Sequence, residues 1–116
     1  MHTQKKGGFE PLAITGIGCI FPKAEHLRRF WANIKNGVDA ITEIPPSHWS
    51  TQDYFDKDQK KSDMTYARRG GFLPQTGFDT SKFGIAPNAI EATDSAQLFA
   101  LMAVDMALKD AGYGPD

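Results

Sequence analysis

The sequence predicts an α/β fold, on the evidence of three segments. Residues 12–20, LAITGIGCI, are mostly apolar and suit a short strand that is buried on both faces. Residues 25–37 place apolar side chains at helical spacing, and residues 96–108 form a second, far more apolar helix. The chain has 116 residues, of which 41% are hydrophobic and 23% charged, as in an ordinary globular protein. We therefore expect one small unit of mixed helices and strands.

Charge and cysteine content exclude several kinds of partner and site. The net charge of −1 lacks the basic excess that binds nucleic acid or an anionic membrane. The single cysteine cannot form an internal disulfide, and His2, His26 and His48 are too scattered for a metal site. We expect no metal, no directly bound cofactor and a reducing, cytoplasmic setting. Residues 1–11 are basic without a following signal-peptide core, and we interpret them as a linker or a cloning remnant.

The first helix follows the predicted strand directly. Its apolar residues fall at positions i, i+3, i+4 and i+7, and Gly37 is expected to end it; they are Leu27, Phe30, Trp31 and Ile34. Beyond it, residues 41–44 predict a short extended piece. Pro45 and Pro46 end that piece, because proline lacks a donor and holds its predecessor extended.

The middle of the chain predicts a long surface excursion. Residues 50–63 are polar and rich in Asp and Lys, and Trp49, Tyr54 and Phe55 either clamp this loop to the body or form a docking surface. Order resumes at YARRGGFL, where Gly70 and Gly71 permit a bulge or a close backbone approach.

The last helix is apolar on nearly all sides, which predicts that it is buried. Asp94 and Gln97 resemble a capping box at its start, and Gly112 marks its end. Its methionines and alanines are interpreted as core, with a contribution to an apolar pocket as the alternative. Five alanines form what we call the alanine stripe, on which another backbone can pack closely: Ala96, Ala100, Ala103, Ala107 and Ala111. A chain of this length hardly supplies enough structure to surround such a helix, so we expect a larger fold or an associating partner.

Six ordered motifs resemble the start of a known enzyme family. They are LAITGIGCIFP, RFWANIKNG, DAITEIPPSHW, YARRGGFL, FDTSKFGIAPNAIEATD and AVDMALKDAGY. This order is similar to the amino-terminal part of beta-ketoacyl synthase (ketosynthase) domains in polyketide synthases and related multifunctional fatty acid synthases. The resemblance covers residues 12–116, which it identifies as the amino-terminal part of a ketosynthase domain.

The resemblance implies a thiolase-like fold, layered α/β/α/β/α and dimeric in the parent protein. It also implies decarboxylative Claisen condensation, in which an acyl-cysteine reacts with a malonyl-type extender on acyl carrier protein. The phosphopantetheine arm belongs to that carrier, and the rest of the ketosynthase domain is the second expected partner. The family's nucleophilic cysteine and two histidines lie beyond Asp116, so we assign no catalytic, cofactor-binding or metal residue to this chain.

Two departures from the family pattern bear on the subgroup. ATDSAQL stands where modular polyketide synthases have DPQQRL, which is more similar to iterative or polyunsaturated-fatty-acid synthases. Ala86 replaces the usual serine before Pro87, so the following helical turn lacks a capping side chain, a loss of about 1 kcal/mol.

Three features allow a functional as well as a structural interpretation. Cys19 is a nucleophile or redox thiol if it is activated, and a core residue if it is not. GIGCIF echoes a dinucleotide-binding loop, although Phe21 takes the third glycine position. Arg68 and Arg69 bind a phosphate or carrier surface, or else form salt bridges. Our preferred interpretation is a ketosynthase fragment that is inactive alone; the alternatives are a noncatalytic ketosynthase-like scaffold and an unrelated nucleotide-binding domain.

Overall fold

The computed structural model describes residues 10–114, which form an open arrangement of short elements. The Cα radius of gyration is 21.1 Å, whereas a compact domain of this length has a value of about 13 Å. Among these residues only Ala24 is fully buried. Most of the predicted linker, residues 1–9, lies outside the described part. The shortage of surrounding structure that the sequence predicts is confirmed.

Helices outnumber strands in the described part of the chain. The strands β1 and β2 form one antiparallel pair, in which Thr42 faces Gly70 and Glu43 faces Arg69. A 3₁₀ turn over Pro87–Ala89 precedes the last helix. The elements in chain order are α1 (Leu27–Lys35), β1 (Thr42–Glu43), α2 (Thr51–Tyr54), β2 (Arg69–Gly70), α3 (Thr80–Phe83) and α4 (Ser95–Asp110). None of these helices is long and apolar enough to cross a membrane.

The structure contradicts the predicted strand over residues 12–20. Residues 10–20 have no strand partner among the described residues. Leu12 is 97% exposed and Ile14 is 83% exposed, so the face on which these two side chains lie is open to solvent. The apolar sequence is that of a buried strand, but the elements that would pair with it and cover it are not supplied by this part of the chain.

Helix α1 confirms the sequence prediction and shows how it is held. The Nδ1 atom of His26 accepts a hydrogen bond from the Arg29 amide and caps the helix start. Gly37 follows the helix end with a φ of +61°, a left-handed value that favours glycine. Phe30 stacks on Phe21 at 4.2 Å between ring centroids, which ties the helix to the preceding turn. Trp31 and Ile34 on the same helix stay more than half exposed.

Helix α4 has the predicted caps but not the predicted burial. Asp94 accepts a hydrogen bond from the Ala96 amide at 2.8 Å, and Gly112 has a φ of +84° beyond the end. The Asp94 side chain bonds the second amide of the helix and not that of Gln97, and no bond from the Gln97 side chain to the Asp94 amide is found among residues 10–114, so Asp94 is a simple N-cap and the capping box is not formed. Val104 and Leu108 are about half exposed. The interior that this helix requires is therefore not completed by the described residues.

The 3₁₀ turn and the surface excursion agree with the sequence. Ala86 makes no capping hydrogen bond to the turn that Pro87 begins, as expected. Residues 50–63 hold only the four-residue helix α2 and are mostly exposed. Gly71 approaches Pro22 so closely that a Cβ atom there would lie 3.0 Å from the proline Cγ, which confirms the expected close approach.

Candidate functional site

Among the glycines of the described residues, Gly16 and Gly18 leave the least room for a side chain. Gly16 and Gly18 lie directly on helix α4, and we call residues 16–18 the glycine segment. A Cβ atom added at Gly18 would overlap the carbonyl oxygen of Ala103 and lie 2.6 Å from the Ala107 amide nitrogen. One added at Gly16 would overlap the Ala107 carbonyl and lie 2.7 Å from the Ala111 nitrogen. The expectation that a backbone packs on the alanine stripe is confirmed for its carboxyl-terminal half.

A single hydrogen bond fixes the register of this contact. The backbone amide of Ile17 donates to the carboxylate of Asp110 at 3.0 Å, across 93 residues of sequence. Because Ile17 lies between the two glycines, this bond and the two backbone contacts act on three consecutive residues. The glycine segment is thus positioned by close packing and by one charge-assisted hydrogen bond. It does not open a helix, as a dinucleotide-binding loop would.

Cys19 follows the glycine segment and is half-buried. Burial raises the pKa of its thiol, which disfavours the thiolate that nucleophilic chemistry requires. The structural interpretation of Cys19 is favoured over the catalytic one.

The histidines within the described residues have structural contacts. His26 caps α1, and the ring of His48 packs edge-on against Phe72 with 5.0 Å between centroids. His2 lies outside the described residues. Within residues 10–114, no three His, Cys, Asp or Glu side chains are grouped so that they could hold a metal ion.

Arg68 and Arg69 take part in an ion-pair network at the strand pair. The Nε atom of Arg68 lies 3.1 Å from a Glu43 carboxylate oxygen, and Arg69 lies 4.0 Å from the other. The guanidinium group of Arg68 also stands over the Phe55 ring at 4.9 Å. These contacts favour the salt-bridging interpretation. The pairs are at least half exposed, so each contributes little to stability.

Of the aromatic residues of the excursion, Phe55 contacts the strand pair, whereas Trp49 and Tyr54 contact each other. Trp49 meets Tyr54 edge-on at 6.4 Å between centroids, and Phe55 lies beneath Arg68. The loop closes through backbone bonds, because the Thr65 amide donates to the Tyr54 carbonyl at 2.7 Å. The arrangement favours the clamping role over a docking surface.

Sequence reasoning missed an ionic link between α3 and α4. The ammonium group of Lys82 lies 2.5 Å from the Asp105 carboxylate, and that of Lys109 lies 3.0 Å from the same oxygen. Hydrogen bonds from Lys82 and then from Lys109 lower the pKa of Asp105. The i, i+4 spacing of Asp105 and Lys109 is visible in the sequence, but the approach of Lys82 is a tertiary feature. Met102 and Met106 line a small recess beside this link.

Two apolar recesses remain open to solvent. One, of about 460 Å³, lies between the Phe21 turn and α1; the other, of about 520 Å³, is lined by His48, Phe72 and Phe99 among others. Aromatic and aliphatic side chains dominate both. Contiguous exposed apolar surface of this kind is typical of interaction sites.

A protein-family model matches nearly the whole chain. Residues 9–116 match the model described as "Beta-ketoacyl synthase, N-terminal domain". Polyketide synthase PksN of Bacillus subtilis is 34% identical over 105 residues, which are 90% of this chain and 2% of that protein. Polyketide synthase ThaG of Burkholderia thailandensis is 37% identical over 105 residues, which are 90% of this chain and 2% of that protein. A polyunsaturated fatty acid synthase of a Thraustochytrium species contains a subunit that is 34% identical over 101 residues, 87% of this chain and 4% of that one.

Solved structures give the same answer for the fold. The oxazolomycin ketosynthase domain OzmH KS7 of Streptomyces albus aligns with a TM-score of 0.79 and 31% identity, over 84% of this chain and 17% of that one. The ketosynthase from module 6 of the bacillaene synthase of Bacillus subtilis aligns with a TM-score of 0.72 and 29% identity, over 85% of this chain and 16% of that one. This chain therefore spans about a sixth of the solved ketosynthase chains.

These findings confirm the resemblance that the six motifs indicate and the thiolase-like α/β fold that it implies. The two polyketide synthases are 34% and 37% identical to this chain and the polyunsaturated fatty acid synthase subunit is 34% identical, so overall identity does not separate the two subgroups. The glycine segment and helix α4, on which it packs, both lie within the residues that match the family model. The chain belongs to the beta-ketoacyl synthase family, in which it corresponds to the amino-terminal part of a ketosynthase domain.

Proposed function

We propose that this chain forms part of a ketosynthase that extends acyl chains by decarboxylative Claisen condensation, in polyketide or fatty acid biosynthesis. The observation that carries the proposal is the family match over residues 9–116. The relatives are named as polyketide synthases and as part of a polyunsaturated fatty acid synthase, which supports the same pathway class.

The reaction proceeds through an acyl-enzyme. An acyl group passes from the phosphopantetheine thiol of an acyl carrier protein to a cysteine thiolate, which forms one thioester and breaks another. A malonyl-type thioester on the carrier then loses carbon dioxide, and the resulting carbanion attacks the acyl carbonyl. The new carbon–carbon bond forms as the cysteine thiolate leaves. Oxyanion donors and two histidines stabilise the charge that develops.

The role of residues 10–114 in this scheme is structural. Cys19 is half-buried with a raised pKa, and His26 and His48 are engaged in capping and packing. We therefore place the nucleophile and the catalytic histidines in the remainder of the ketosynthase domain. The partners under this proposal are that remainder, an acyl carrier protein and a second copy of the complete domain. We also propose a cytoplasmic, reducing location, with which the single cysteine is consistent.

Intact-protein mass spectrometry after incubation with an acylated carrier protein tests the proposal. Two proteins are compared: the 116-residue chain and the product of the complete reading frame. The complete protein is expected to gain one acyl group, and its Cys19→Ser variant is expected to gain it equally. The 116-residue chain is expected to stay unmodified. An acyl group found on Cys19 refutes the proposed role of this chain.

Sequencing the complete reading frame separates the two ketosynthase-like hypotheses. A further cysteine in the nucleophile motif, followed by two histidines, supports the enzyme. A reading frame that lacks them favours a noncatalytic scaffold.

A further inference from the structure

Helix α1 carries positive charge and no negative charge. Arg28 and Arg29 lie in its first turn and Lys35 lies in its last, and the helix contains no acidic residue. All three side chains are exposed, and no carboxylate in the described part of the chain forms an ion pair with any of them. Arg68 and Lys82, in contrast, each pair with a carboxylate. The described residues therefore leave the charge of α1 without a counter-charge.

The two arginines stand where the helix itself disfavours positive charge. The amino-terminal end of a helix has a partial positive charge, so anions stabilise it and cations destabilise it. The cap at this end of α1 is an imidazole nitrogen of His26, which carries no negative charge. An anionic group from another molecule would supply the compensation that is missing here.

Arg28, Trp31 and Lys35 share one side of α1, which we call the basic face. Their spacing of three and four residues places them one above another, over about 10 Å along the helix axis. Trp31 is 56% exposed, whereas Phe30, on another side of the helix, stacks on Phe21 and faces the chain. Tryptophan and arginine are enriched among the residues that dominate binding energy at protein interfaces. The basic face thus has the composition of a protein-binding surface.

We propose that the basic face docks an acidic helix of a partner protein, in which two carboxylates flank an apolar side chain. The carboxylates pair with Arg28 and Lys35, and the apolar side chain packs on Trp31. Glutamates at positions i and i+7 of the partner helix match the seven-residue spacing of the two cations. This inference goes beyond the proposed function and does not depend on the acylation reaction.

Charge disfavours two other occupants of the basic face. The polypeptide that completes the domain is a poor candidate, because charged side chains mostly stay at the surface and burial of an unpaired cation is costly. An anionic membrane is recognised by clusters of about four to eight cations. The basic face supplies two, on a chain whose net charge is −1.

Binding of synthetic peptides to the protein from the complete reading frame tests the proposal. The probe is a fluorescein-labelled, stapled helical peptide with glutamates at i and i+7 and a leucine at i+4. The control peptide has glutamine at both glutamate positions. At low salt we expect the glutamate peptide to bind about fivefold more tightly or better, and this difference to shrink as salt is added. Equal binding of the two peptides overturns the proposal.

Charge reversal locates the binding surface. Arg28→Glu combined with Lys35→Glu is expected to weaken binding of the glutamate peptide about tenfold. The matched control reverses two exposed lysines of the surface excursion, Lys57→Glu with Lys60→Glu, and is expected to leave binding unchanged. Because a negative charge is favoured in the first turn of a helix, Arg28→Glu is expected to keep or raise the thermal unfolding midpoint. Undiminished binding by the Arg28→Glu and Lys35→Glu double variant refutes the basic face as the site.

The contribution of Trp31 is measured with the same peptides. Trp31→Ala is expected to weaken binding of the glutamate peptide about tenfold, and Trp31→Phe, which keeps an aromatic ring, to weaken it less. Replacing the leucine of the peptide by serine is expected to cost the parent protein affinity and to have little effect on Trp31→Ala. An equal effect of the serine peptide on both proteins refutes the packing of this side chain on Trp31.

Acetylation of lysine shows whether the face is open in the complete protein. Mass spectrometry compares labelling of Lys35 with that of Lys57, and we expect similar labelling of both and protection of Lys35 alone by the glutamate peptide. Protection of Lys35 without peptide shows that the remainder of the domain covers the face, and overturns the proposal. A complete protein that is acylated normally but does not bind the glutamate peptide refutes the docking alone and leaves the proposed function intact.

Discussion

Replacement of Gly18 by alanine is expected to destabilise the protein through backbone overlap. The added Cβ would lie 2.6 Å from the Ala107 nitrogen and 3.0 Å from the Ala103 carbonyl carbon, and would overlap the Ala103 oxygen. Carbon contacts are favourable near 3.5–4.0 Å, so the glycine segment must move by about 1 Å. The obstructing atoms belong to helix backbone and cannot rotate away. We expect a loss of about 1–3 kcal/mol in the free energy of unfolding, as for other overpacked sites.

Denaturant unfolding of the complete ketosynthase protein measures this loss. Gly77→Ala is the matched control, because nothing lies within 4 Å of a Cβ at that position and its φ is not in the left-handed range. The control is expected to stay within about 0.5 kcal/mol of the parent protein. If Gly18→Ala unfolds at the same denaturant concentration as Gly77→Ala, the packing of the glycine segment on α4 does not hold as described.

Four further outcomes are expected. The 116-residue chain alone oligomerises or binds a hydrophobic dye, since its apolar surfaces are open; a cooperative, dye-negative monomer in light scattering contradicts this. The hydrogen bond from Lys82 lowers the pKa of Asp105 below its ordinary 3.8, so as pH falls the Asp105 carboxylate takes up a proton in the unfolded chain before it does in the folded one. The stability that this pair contributes is therefore present above pH 3.8 and is lost as pH falls towards the folded-state pKa. Asp105→Asn is expected to make the acid-unfolding curve less steep in that range. Arg68→Ala breaks the exposed pair with Glu43 and costs less than about 1 kcal/mol in thermal unfolding, while a raised KM for acyl carrier protein with unchanged stability indicates a binding role instead. Ala86→Ser supplies the missing capping oxygen and raises stability by up to about 1 kcal/mol; an unchanged unfolding midpoint shows that the short turn gains nothing from it.

Local features were predictable from the sequence wherever the cause is local. The bounds of α1 follow from its apolar spacing and Gly37, and the start of α4 follows from Asp94. Extension around Ile41–Ile44 follows from the prolines, and β1 lies within it. His26 as a helix cap was missed, because histidine is not among the residues usually preferred there.

Tertiary features could be only half predicted. The alanine stripe and the two glycines of the glycine segment each indicate close packing, but the local sequence does not indicate that they pack on one another. The prediction of a strand over residues 12–20 was wrong for this chain, because a strand forms only where a neighbouring strand supplies hydrogen-bond partners. The absence of a catalytic residue here remains a prediction from the family resemblance, supported by the burial of Cys19.

The bond between Ile17 and Asp110 also sets a minimum delay during protein synthesis. The two residues are 93 positions apart, and a ribosome adding ~5–20 residues per second needs ~5–20 s to cover that interval. During that interval the apolar amino-terminal segment has already been synthesised, but helix α4, on which it packs, has not. During synthesis this segment therefore lacks the packing contact that Gly16 and Gly18 make with that helix in the folded chain.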